Sequence, residues 1–228
     1  MIRPVEQKFL VRNTHKYLSF FISIQLLLWT VSGIYFAFNK IENVRGEQYR
    51  LNQPADILLG ELSFSIPDAT DINIKKRLGD TIVIASTKSG MLYLDTNGNP
   101  INHITSDEAM AIVEQATTLQ PQRVEQVNDS SRGSEYRGRA LPIYRVIAKN
   151  ANDAEINVYV NIFSGDISAI RSAQWRIWDL MWGFHIMDWV ERDNIDNILL
   201  KIFSILALVS SLTGVLLFFK VDLKKNGQ

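Results

Sequence analysis

Residues 175–219 read WRIWDLMWGFHIMDWVERDNIDNILLKIFSILALVSSLTGVLLFF, and the rest of the chain is read outward from them. From 198 to 219 there is a single charge, Lys201. About 20 apolar residues carry a helix across the roughly 30 Å hydrocarbon core of a bilayer, so this run is long enough. The part before it carries Trp175, Trp178, Trp182 and Trp189 among scattered charges. Tryptophan collects where hydrocarbon meets water, because its ring is apolar and its indole N–H needs a polar partner. The pattern predicts an interfacial amphipathic helix over 175–196 that turns into a membrane helix over 197–219. His185 falls in the interfacial part.

A second uncharged run covers 17–38, after a polar lead over 1–16. It is longer than the 7–15-residue apolar core of a secretory signal and ends in YFAF, without a small-residue cleavage site. It therefore reads as a retained membrane helix. Arg3, Lys8, Arg12 and Lys16 precede it, and Lys220, Lys224 and Lys225 follow the second run. Basic residues favour the cytoplasmic side, so 1–16 and the tail 220–228 are expected there, with 39–174 on the outer side. Lys201 is expected to snorkel to the outer surface. Both helices carry a small-residue site, Ser32-Gly33 and Thr213-Gly214. Such sites let helices approach closely. In antiparallel helices they lie at opposite depths, so each is expected to pack on something other than its counterpart, a hint of a dimer.

The chain has no cysteine, which excludes disulfides, thiolate metal sites, iron–sulfur clusters and covalent c-type haem. Its 24 basic and 24 acidic residues cancel, so there is no general field for nucleic acid.

The outer segment reads as a small α+β domain built from a repeat. Ser106 is a plausible N-cap for a helix with Ala109, Ile112, Val113 and Ala116 on one face. Strand patterns follow at 124–127, 142–149, 156–163 and 167–170, with a polar loop at 128–140 and turns at 150–153 and 164–166. The same order of hairpin, Gly turn and short strand occurs earlier, at 81–85, 91–95 and 97–101. Only the short stretch 54–62 is available as a helix ahead of that first copy.

The helix, Leu141-Pro142-Ile143-Tyr144-Arg145-Val146, Val158-Tyr159-Val160-Asn161 and Ser164-Gly165-Asp166-Ile167 resemble the PepSY module. With His15-Lys16-Tyr17, the Ser/Thr-Gly sites and GFHIMDW ahead of the last helix, the chain is similar to PepSY-associated membrane proteins of bacterial inner membranes. That resemblance implies a tandem PepSY-like periplasmic domain on two inner-membrane helices. It implies one of two roles. The first is a non-catalytic accessory protein that presents its domain to a membrane or periplasmic protein partner. The alternative is a haem b-binding electron-transfer subunit that supports ferric-siderophore or metal reduction in iron uptake. No G-x-G-x-x-G fingerprint opens a helix after a strand, so any electron donor is a separate molecule.

Within the haem alternative, His15 and His185 are the axial-ligand candidates, since haem iron most often takes histidine. A 22-residue helix spans about 33 Å, so the two cannot share one iron within a chain. A homodimer would pair each with its symmetry mate. The plainer readings are a polar interfacial residue for His15, a headgroup anchor for His185 and a surface loop for His103. Asp188, Glu191, Asp193 and Asp196 read as a solvated helix face. No nucleophile motif, catalytic residue or metal site is expected, so the chain is not expected to be an enzyme by itself.

Overall fold

The computed structural model describes residues 4–52 and 64–222, with side chains described for 9–52 and 64–219. The stretch 54–62 and the basic residues Arg3, Lys224 and Lys225 lie outside the described residues or side chains. Among the described residues the fold is α+β, with two antiparallel sheets and two helices long and apolar enough to cross a membrane. The chain divides into two units: one from residues up to Asn39 and from Ile177 onward, the other from Lys40–Arg176.

In the middle unit, β1 (Ala69–Arg77), β2 (Asp80–Thr87) and β3 (Gly90–Leu94) form one meander. Helix α3 (Ser106–Ala116; the short α2, Ile41–Val44, precedes it) leads into β4 (Gln120–Val127), β5 (Ile143–Lys149), β6 (Glu155–Asn161) and β7 (Ile167–Arg171), a second meander. The strand β1 was absent from the sequence reading, because its Lys, Asn and Asp residues give it an exposed, polar pattern. The helix cap is Thr105 rather than Ser106. Its side chain accepts the Glu108 N–H while Glu108 accepts the Thr105 N–H, a reciprocal capping box.

The second sheet is covered on both faces, which explains its almost continuous apolar strands. Ile156, Val158 and Val160 pack with Ile112 and Val113 of α3. Tyr159 alternates to the other face, with Ile143, Ala169 and Tyr136 of the 128–142 loop. The two meanders also share a turn. After β3, Asp95 Oδ1 accepts the N–H groups of Asn97 and Asn99 around Gly98. After β6, Asn161 Oδ1 accepts those of Phe163 and Ser164 ahead of Gly165. Both glycines have positive φ, +85° and +70°, a conformation that side chains disfavour. The meanders are joined by Tyr93 stacked on Phe163 at 4.8 Å and by Arg77 Nη1 donating to the Phe163 carbonyl at 2.8 Å.

The other unit contains α1 (Pro4–Phe38), the part of α4 (Ala173–His185) from Ile177, and α5 (Ile198–Asp222). The residues expected as a polar lead are helical from Pro4. The apolar spans are Phe9–Phe38 and Ile198–Phe219. The interfacial helix expected over 175–196 stops at His185, and residues 186–197 form a loop. The stop has a cause. Met187 takes φ +57°, and the Asp188 N–H reaches back to the Gly183 carbonyl, a left-handed helix ending. Asp188 then gathers four backbone N–H groups, from Val190 and Glu191 on Oδ1 and from Asp193 and Asn194 on Oδ2. The acidic stretch is therefore a braced loop, not a helix face. Asn197 closes it by accepting the Leu200 N–H, which caps α5.

Candidate functional site

Antiparallel packing of α1 and α5 is marked by Phe21 stacked on Phe203 at 5.8 Å and by Ser19 and Ser210 hydroxyls 2.7 Å apart. His15, inside α1, lies at the same level. Its Nδ1 is 3.0 Å from the Ser210 carbonyl and 3.1 Å from Thr213 Oγ1. A carbonyl oxygen can only accept, so Nδ1 carries the proton. In the neutral ring Nε2 then holds the lone pair. A Cβ on Gly214 would come within 3.0 Å of His15 Cε1, so the missing side chain at 214 is what makes room for the imidazole.

The other end of α1 repeats the arrangement with different residues. Ser32 is fully buried, and its Oγ is 2.7 Å from His185 Nδ1. The hydroxyl has one proton, and it goes to the Leu28 carbonyl at 2.7 Å. Ser32 must therefore accept from His185, so here too Nδ1–H donates and Nε2 holds the lone pair. Neither Nε2 has a hydrogen-bond partner among the described residues. Burial lowers the pKa of His185, which favours the neutral ring and its open lone pair.

Neighbours fix His185 further. Trp178, Trp182 and His185 recur along one face of α4, each ring nearly parallel to the next, at 5.5 Å and 6.3 Å. Phe36 of α1 touches all three. The last carbonyls of α4 have no helical partner. Trp29 Nε1 donates to that of His185 at 2.7 Å, and Gln25 Nε2 to that of Phe184 at 3.2 Å. An open groove of about 480 Å³ adjoins, with Trp29, Trp182, Ile186, Ile195 and Leu200 as apolar walls and His185 and Ser204 as polar ones. Its size and lining fall in the range of small-molecule sites.

The two Ser/Thr-Gly sites do not meet each other, as expected, but each finds a histidine of this same chain rather than a second molecule. Ser32 serves His185 and Thr213-Gly214 serves His15, both within one chain, so these sites give no argument for a dimer. The two glycines look alike in sequence, yet no atom lies within 4 Å of a Cβ on Gly33. His15 and Ser32 are 17 residues apart on α1, about 25 Å at 1.5 Å per residue, so the two histidine sites are separate. His103 sits elsewhere, exposed and edge-on to Phe163 at 4.3 Å. Among the described residues, no group of three or more acidic or histidine side chains is placed to hold a metal ion.

The chain matches no protein-family model, no curated protein and no solved structure.

Proposed function

We propose that the chain is a two-helix membrane protein that holds haem b on His15 and His185 and serves as an electron-transfer subunit. The observation that carries this is the pair of pinned imidazoles. In each, Nδ1–H is committed to an oxygen of a neighbouring helix and Nε2 is left open, the arrangement in which histidine ligates a metal. The donor chemistry fits haem: nitrogen ligands, aromatic and aliphatic walls beside His185, and no thiolate in the chain. Bound haem supplies a one-electron iron couple. The protein's own part is to fix each imidazole's tautomer and direction, line the space beside His185 with Trp29, Trp182 and Leu200, and favour the neutral form of His185. Two copies around a twofold axis would give each iron two histidines.

The resemblance to PepSY proteins supports bacterial inner-membrane placement, cytoplasmic termini and a periplasmic tandem domain. It also supports a link to ferric-siderophore or metal reduction. In this reading the β-rich unit is the accessory part that meets a protein partner, and the electron donor is separate. The paired Asx turns around Gly98 and Gly165 support the tandem repeat.

The test is an absorbance spectrum of full-length protein purified in mild detergent from haem-replete cells, oxidised and dithionite-reduced. A Soret band with sharp reduced α and β bands, diminished in both His15→Ala and His185→Ala, is expected. A folded protein without absorbance above 320 nm overturns the haem assignment and leaves the purely accessory role.

A further inference from the structure

The end of β7, the start of α4 and the 128–142 loop bring the guanidiniums of Arg171 and Arg137 over the Trp175 ring and that of Arg176 onto the Glu135 carboxylate, with the Arg139 charge acting on Arg171. That carboxylate is already engaged. It pairs with Arg176 and accepts from Asn157 Nδ2 at 2.8 Å and the Tyr159 hydroxyl at 3.1 Å.

Arg171 is only 9% exposed, and its guanidinium makes no salt bridge among the described residues. Its Nε donates to the Glu135 backbone carbonyl at 3.0 Å and its Nη1 to that of Ile170 at 3.3 Å. Nη2 has no hydrogen-bond partner among the described residues. The guanidinium lies over the Trp175 ring at 4.3 Å, and that of Arg137 lies 5.5 Å from the same ring. Burial first, then the Arg139 charge, push the pKa of Arg171 down to about 10. Arg137 adds to that push, while Glu135 opposes it. A buried cation is costly, and here the nearby cations Arg139 and Arg137 face a single carboxylate, Glu135, that Arg176 already engages. An external anion removes that cost, and a guanidinium with a spare N–H matches a phosphate's oxygens.

We propose that Arg171, Arg139 and Trp175 form a binding site for a phosphate-bearing anion. The ligand is an anionic phospholipid headgroup or a soluble phosphate ester; both offer the same tetrahedral oxyanion. The proposal goes beyond the haem reading and stands without it.

The test uses the full-length protein. Native mass spectrometry in mild detergent counts phosphatidylglycerol against phosphatidylcholine adducts. Isothermal titration with inorganic phosphate, on protein in phosphatidylcholine nanodiscs, reads the soluble source. Arg139→Gln changes an exposed side chain, and circular dichroism checks that it stays folded. A headgroup site gives preferential phosphatidylglycerol retention that falls about tenfold in Arg139→Gln. A site for soluble phosphate gives no lipid preference but a phosphate isotherm lost in that variant. If the wild type retains neither, or folded Arg139→Gln matches the wild type in both measurements, the site does not exist.

Discussion

At the residue scale, the hydroxyl of Ser32 has more consequence than its size suggests. It donates to Leu28 and accepts from His185, so it selects the tautomer that a ligating imidazole needs. Loss of such an outer partner typically lowers ligand affinity 10–100-fold. Ser32→Ala is expected to weaken haem retention by that factor in a Soret titration while leaving the helical circular dichroism unchanged. Asp188 acts on the backbone instead. Desolvation raises its pKa, but four backbone N–H donors outweigh this and hold the carboxyl below its usual range. A lowered carboxylate pKa stabilises the fold above the unfolded-state value and loses that contribution as pH falls through the folded-state value. The 186–197 loop is therefore expected to keep its protection in hydrogen exchange through mildly acidic pH. It should lose protection only below the ordinary carboxylate range, whereas Asp188→Asn should be unprotected at neutral pH.

At the element scale, the two glycines of the long apolar helices separate into different roles. A side chain at 214 strikes His15, while one at 33 meets open space. Gly214→Leu is expected to remove the same part of the haem spectrum as His15→Ala, and Gly33→Leu to leave the spectrum intact. Period and composition made the long elements legible. The apolar runs on α1 and α5, the strands β2, β3, β5, β6 and β7, and the helix face Ala109, Ile112 and Val113 were all readable from residue pattern. The strand β1 was not, because an exposed polar strand is specified by its pairing with β2 rather than by alternation. The end of α4 was missed for a similar reason. Nothing in the sequence around Met187 announces a left-handed residue, and glycine usually occupies that place. The candidate site was half legible. The histidines stood out as the rare titratable groups near apolar helices, but Ser32, Ser210 and Gly214 became partners only once helix register was known.

At the scale of the whole molecule, one unit is assembled from the two ends of the chain and the other from its middle. The hydrogen bonds that fix His15 and His185 all stay inside the first unit. Replacing residues 40–172 with a flexible Gly/Ser linker is therefore expected to preserve the reduced-minus-oxidised spectrum. Loss of the spectrum from a folded, inserted variant would show that the middle unit takes part in building the two histidine sites. The assembly from both ends also bears on biosynthesis. His15, Gln25, Trp29 and Ser32 find their α4 and α5 partners between 153 and 198 residues further along. While the ribosome works through that interval, α1 stands with these polar groups unmatched. A helix made well before its partners is thus among the last to be completed, and a chain stalled before α4 leaves the polar groups of α1 without the partners that bury them.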